Sequence, residues 1–134
     1  MPKVLQISRA TARDQSVSPK KARLVIDMVR GKTLEQAIDI AKFTNKKSAK
    51  ILYHVLNSVA DAASKKGFEK SELFVSEAVC QEGKKLKRVF IRARGRSTRF
   101  LKRSAHIKIA VSKSERDEES PVKSHEQKKD KVGK

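Results

Sequence analysis

Apolar side chains recur at helical spacing three times in the first half of the chain, and the spacing then changes to that of strands. Ala22, Val25, Ile26 and Val29 stand at i, i+3, i+4 and i+7, which predicts one amphipathic helix. Ser18 in a capping position, Pro19 at the first helical position and Gly31 just past the last bound it to 18–31. A second helix is predicted from Thr33, where Thr33 and Gln36 make a T-x-x-Q capping box and Leu34, Ala37, Ile38 and Ala41 share a face. A third and longer helix is predicted over 45–66, with Leu52, Val55, Leu56, Val59 and Ala63 as its apolar stripe and Gly67 as its stop. Residues 71–80 are rich in Phe, Val and Leu and read as a strand. Over 104–111, Ile107, Ile109 and Val111 alternate with His106, Lys108 and Ala110, the pattern of a strand with one buried face. A weaker strand is read at 4–9. Helices followed by strands predict an α+β domain.

The stretch 81–103 between the two good strands is harder to place. Gly83 and Gly95 are its only glycines, no N-G or D-G pair marks a tight turn, and apolar content is modest. Two readings stay open: a disordered basic loop, or an outward continuation of both strands as a two-stranded ribbon with its tip near 89–96. Such a ribbon buries no core of its own and is marginal in water, so its partner would order it. From Ser112 the chain reads SKSERDEESPVKSHEQKKDKVGK, with Val122 and Val132 as the only hydrophobic residues. By composition 112–134 is a disordered, charged tail, leaving 1–111 as one domain.

Charge changes this picture most. The chain has 134 residues, 33 basic and 15 acidic, a formal net charge of +18. Eleven basic residues and no acidic one fall within 83–108, so more than half of the excess sits in 26 residues. A charge run is ordinarily a solvated face. Eleven like charges without a carboxylate repel one another strongly, and phosphates are the obvious screen. Hydrophobic residues make up 37 %, with five Phe, one Tyr and no Trp, so the core is small and a deep apolar pocket is disfavoured. The single Cys80 excludes an intrachain disulfide and a Cys-only zinc site. Its default reading is a small buried hydrophobe. The first 23 residues contain no apolar run suited to a secretion signal, and no stretch is long enough to span a bilayer.

Catalytic chemistry finds little support. Asp14, Asp27, Glu35, Asp39, Asp61, Glu69, Glu72, Glu77 and Glu82 are scattered over predicted polar faces and loops. His54, His106 and His125 have no metal-ligand spacing, and there is neither a P-loop nor a G-x-G-x-x-G fingerprint. Neither metal nor cofactor is expected. The basic residues form the one strong constellation. Arg88, Arg92, Arg94, Arg96, Arg99 and Arg103 offer guanidinium forks for phosphate and planes for bases, and Lys84, Lys85, Lys87, Lys102 and Lys108 add point charges. Lys20, Lys21 and Arg23 open the first helix, and Asn45, Lys46, Lys47 and Lys50 open the third. Helix N-termini attract phosphate in their own right. The aromatics do not interleave as in a base-stacking sheet. The expected mode is recognition of RNA backbone and shape by an extended element together with helix ends.

Three stretches carry a family resemblance: SPKKARLVIDMVRGKTLEQAIDI at 18–40, FTNKKSAKILYHVLNSVADAA at 43–63 and EGKKLKRVFIRARGRSTRFLKRSAHIKIAV at 82–111. Within the last, Lys87, the run Arg92-Ala93-Arg94-Gly95-Arg96 and His106-Ile107 match the family's signature. Together they make residues 3–111 resemble the large-subunit ribosomal protein twenty-two family in its bacterial form. The resemblance implies three helices on a small antiparallel sheet, with a long hairpin protruding over about 81–103. It implies a structural, non-catalytic component of the large ribosomal subunit in the cytoplasm that binds large-subunit rRNA and acts early in assembly. Carried over by position, the hairpin tip is 86–96, and Arg88, Val89, Phe90, Ile91, Arg92 and Ala93 line the nascent-peptide exit tunnel. Lys84, Lys85, Lys87, Arg88, Arg92, Arg94, Arg96, Arg99, Lys102 and Arg103 become rRNA contacts on the hairpin. Lys20, Lys21, Arg23, Asn45, Lys46 and Lys47 become rRNA contacts on the globular part. The implied partners are rRNA, neighbouring large-subunit proteins and the nascent peptide, with no membrane and no homo-oligomer. Two positions depart from the common pattern: Lys84 follows Gly83, and Ile91 precedes Arg92, where many members have proline. Both bear on the bend of the hairpin. A nucleic-acid packager, which would take duplex DNA equally well, an RNA-modifying enzyme and a basic membrane-surface protein are the competing classes.

Overall fold

The computed structural model describes residues 6–113. In chain order they form strand β1 (Gln6–Gln15), helices α1 (Pro19–Val29), α2 (Leu34–Phe43) and α3 (Lys47–Ser64), and the long strands β2 (Leu73–Ile91) and β3 (Ser97–Lys113). The three strands form one antiparallel sheet in the order β1-β3-β2. The α+β expectation holds, with three helices against a small sheet.

Each helix lies where its apolar stripe demands. Ala22, Val25, Ile26 and Val29 of α1 are buried, and so are Leu34, Ala37 and Ala41 of α2 and Leu52, Val55, Leu56, Val59 and Ala63 of α3. They meet Ala105, Ile107, Ile109 and Val111 of β3 and Leu73, Val75 and Ala78 of β2 in one core. Alanines at the crossings let the helix axes approach closely, which partly makes up for the scarcity of aromatic bulk.

The boundaries are mostly as expected, with corrections. The Thr33 hydroxyl accepts from the Gln36 N–H at 3.4 Å, half of the predicted capping box. Ser18 caps α1 by backbone geometry without a side-chain hydrogen bond. The third helix begins at Lys47 rather than at Asn45, because Lys46 holds extended backbone. The strand predicted from 71 begins at Leu73, since Lys70–Glu72 is a 3-10 turn. The weak N-terminal strand is a ten-residue strand running to Gln15; Val4 and Leu5 lie outside the described residues. Small Ala10 and Ala12 between Arg9, Thr11 and Arg13 hid its alternation. Ser112 and Lys113 belong to β3, not to the predicted tail, and 114–134 lie outside the described residues.

The segment 81–103 is the ribbon rather than the loop. β2 and β3 run on past the core and stay paired to the tip. Leu56→Ala, in the centre of the core, is expected to destabilise the protein by about 2–5 kcal/mol in urea unfolding. His54→Ala, two residues away but exposed, is expected to stay within about 0.5 kcal/mol of wild type.

Candidate nucleic-acid interface

The ribbon starts at a neck where two irregularities coincide. The β1–β3 register shifts between Ala12 and Gln15, and the β2–β3 register shifts between Glu82 and Lys85. Both flank Ala105, which pairs with Gln15 on one side and Glu82 on the other. Asp14 takes left-handed backbone (φ 48), and its N–H donates to Nδ1 of His106 at 2.9 Å. Gly83 is needed for a close approach: a Cβ there would stand 2.5 Å from the Ser104 hydroxyl, which donates to the Lys84 carbonyl at 2.8 Å. Beside it, Lys84, Leu86, Lys102, Arg103 and Ser104 line an open depression together with Asp14 and Ser16. Bulges bend a strand and increase its twist, so this pair sets the direction in which the ribbon leaves the domain. Lys84, in place of the proline common in the resembling family, contributes its carbonyl to that joint.

Beyond the neck, seven successive pairs run from Lys85↔Arg103 to Ile91↔Ser97, a reach of about 25 Å. Every residue of 84–103 is exposed. The pairing avoids cation against cation. Leu86↔Lys102, Lys87↔Leu101, Arg88↔Phe100 and Val89↔Arg99 each oppose one apolar and one basic side chain, the basic member lying on β3 in the first and last pair and on β2 in the middle two. Directly opposed like charges are destabilising, and Lys85↔Arg103 at the root is the one such pair in the ribbon. There Glu82 takes up Lys85 at 2.7 Å; this hydrogen-bonded ammonium holds the Glu82 carboxyl below its ordinary range. Because opposed pairs share a face, both faces of the ribbon carry apolar and cationic groups together.

The chain reverses at Arg92–Arg96. Arg94 (φ 58) and Gly95 (φ 68) are both left-handed, as in a type I′ turn, and the Arg96 N–H donates to the Ala93 carbonyl at 3.4 Å. The Arg92 N–H donates to the Arg96 carbonyl at 2.7 Å, and its guanidinium lies 5.1 Å from the Phe90 ring centre. Arg88, Val89, Phe90 and Ile91 are thus the last residues of β2, and Ala93, Arg94 and Gly95 are the apex. The turn falls inside the tip expected at 89–96, and its exact position is not marked in the sequence because an Arg-Gly pair carries no strong hairpin preference.

Helices α1 and α3 point their N-termini at the same neck, while α2 starts at the far end, where Thr33 bridges to Phe74. Cys80 Sγ lies 3.9 Å from the Pro19 carbonyl, and Arg23 donates to the Cys80 carbonyl at 3.5 Å, placing the start of α1 beside the ribbon root. Burial pushes the Cys80 thiol above its usual range, with Arg23 pulling the other way. The Ser8 hydroxyl donates to the Val59 carbonyl, and Gln15 lines a groove with Ile51 and His54, so α3 also starts at the neck end. Lys20, Lys21, Arg23, Asn45, Lys46, Lys47 and Lys50 are exposed there. Of these, Arg23 also has a structural duty, holding α1 to β2. Arg9, Arg13 and Lys42 are exposed as well and were not singled out by sequence; no local signal marks them. The opposite end mixes signs: Lys32, Lys65, Lys66, Lys70 and Lys113 lie among Glu35, Asp61, Glu69 and Glu72, with Lys113 bonded to Glu72 at 2.9 Å. Among the described residues no cluster of His, Cys, Asp or Glu is suited to a metal ion, and no helix is long and apolar enough to cross a membrane.

Comparison with known proteins points the same way as the geometry. The family model described as ribosomal protein L22p/L17e matches residues 10–112. The large ribosomal subunit protein uL22 of Fervidobacterium nodosum is 39 % identical over 117 residues, covering 87 % of this chain and 80 % of that protein.

Gly83→Ala is expected to loosen the ribbon root, read as faster amide exchange at 84–86 and 102–104. Ser104→Ala removes the hydroxyl that the new methyl strikes, so adding it to Gly83→Ala is expected to recover protection rather than lose more.

Proposed function

This chain belongs to the ribosomal protein L22p/L17e family, and on that premise we propose that its ribbon and neck together form one rRNA-binding surface. The protein is a structural component of the large subunit of the cytoplasmic ribosome, not an enzyme, and rRNA and other ribosomal proteins are its partners. The observation that carries the proposal is the polarity of the molecule. Cations of the ribbon, of the start of α1 and of the start of α3 converge on one end, while the far end mixes five cations with four carboxylates.

The mechanism follows from that polarity. Lys20, Lys21, Lys46 and Lys47 seat the globular part on phosphates, with the aligned peptide dipoles of two helices adding to their field. The ribbon extends between RNA segments and meets them on both faces, its Arg side chains forking onto phosphates while Leu86, Phe90 and Phe100 contact sugars and base edges. Binding replaces mutual repulsion of the ribbon's cations by attraction to phosphate, so the protein joins and stabilises rRNA segments during assembly. Its apex, with Arg88 to Ala93 leading into it, lines the exit tunnel and meets the nascent peptide. No second copy of the chain is required.

Six to ten phosphate contacts predict an affinity for deproteinised large-subunit rRNA that falls about 10³–10⁵-fold between roughly 50 and 200 mM salt. Arg94→Glu, at the apex, is expected to lower the yield of mature large subunits well below that of Lys70→Glu, at the far end. Equal yields would refute the assignment of the ribbon as the main contact.

A further inference from the structure

We propose that Phe43 is a stacking platform for an unpaired base of the rRNA, a contact that rests on the rRNA-binding reading above. Phe43 is 80 % exposed, the most exposed large apolar side chain outside the ribbon. It is the last residue of α2, whose buried face is Leu34, Ala37 and Ala41. Two positions past Ala41, Phe43 lies about 200° around the helix from that face, where a polar residue is the ordinary choice.

The backbone that carries the ring is tied down. The Thr44 hydroxyl donates to the Ile40 carbonyl at 2.6 Å, the Thr44 N–H donates to the same carbonyl at 3.1 Å, and the Lys46 N–H donates to the Thr44 carbonyl at 2.9 Å. Only the side-chain torsions of Phe43 are then left to be fixed when a flat partner lands on it.

Its surroundings select the partner. No acidic residue occurs between Asp39 and Asp61, while Lys42, Lys46, Lys47 and Lys50 are all exposed. Lys42 Nζ lies 5.9 Å from the ring centre. Asp39 lies one helical turn before Phe43, so four exposed lysines stand against this carboxylate; an apolar ring in a field that is cationic on balance fits a ligand that joins a π-face to phosphates, which a nucleotide does. A protein partner would need an acidic rim around an apolar pocket. Bases inside a duplex hide their faces, so the platform takes a base from a loop, bulge or strand end.

The chain contains no Trp, so Phe43→Trp places one reporter at the platform and keeps an aromatic face. Phe43→Leu keeps apolar volume and removes that face. Both full-length variants and the wild type would be titrated with deproteinised large-subunit rRNA and with a blunt, fully paired RNA duplex, and their thermal melts compared. The expected result is tight binding by wild type and by Phe43→Trp, with the tryptophan emission quenched by rRNA and restored by high salt. Phe43→Leu is expected to melt like wild type and to lose about 5-fold or more for rRNA, within the about 5- to 150-fold span of base–aromatic stacking, with no loss for the duplex. Wild-type binding with no quenching and no loss in Phe43→Leu would overturn the platform and leave the rRNA reading intact. Emission that changes only when other large-subunit proteins are added would assign the ring to a protein neighbour and overturn it too. A wild type that fails to bind rRNA would overturn both.

Discussion

The continuous ladder between β2 and β3 is the constraint on which the rest of the molecule depends. The same two strands that fill the core with Val75, Ala78, Ile107 and Ile109 run outward, paired without a break beyond the neck, to the turn at Arg94 and Gly95. A two-stranded ribbon bearing ten cations over 84–103 has no core to hold it. Its register is inherited from the buried end, where a slip of one residue would turn Ile107 and Ile109 out to water. The alternation of apolar and basic partners then keeps that inherited register tolerable electrostatically along the exposed length.

The proposed function rests on the geometry that this constraint sets. The ladder fixes where the ribbon root lies, the core fixes α1 and α3 against the sheet, and the hydrogen bonds of Arg23 and Ser8 fix how they meet it. Three cationic groups far apart in sequence therefore converge on one end. The core is small and rich in alanine because its task is to hold that arrangement, not to enclose a ligand.

How much of this was legible in the sequence depended on whether the determining interactions were local. Helix boundaries were, because a Thr33–Gln36 cap, Pro19 and the spacing of Leu52, Val55, Leu56 and Val59 act within a few residues. The β1 strand was only partly legible, since alanines at its inward positions give weak contrast and its partner lies a hundred residues away. The ribbon was undecidable from pattern alone: its stability comes from the ladder and from cross-strand opposition, neither of which periodicity reports. The apex turn lies inside the tip expected at 89–96, but its exact residues were not legible because Arg94 in left-handed backbone is not a usual choice. The neck was invisible because its parts, Asp14, Gly83, Ser104 and His106, come from three strands. At the interface, the clusters at Lys20 and Lys46 were readable as charge runs, whereas Arg9, Arg13 and Phe43 stand out only once burial is known.

On the proposed function, one end of this molecule, ribbon and neck together, faces RNA while the other does not. Photo-cross-linking within intact large subunits, with a reactive side chain placed in turn at positions 21, 47, 88, 94, 65 and 70, separates the two ends. Cross-links to rRNA are expected from the first four positions and not from 65 and 70. Equal cross-linking from both ends would rule the proposal out.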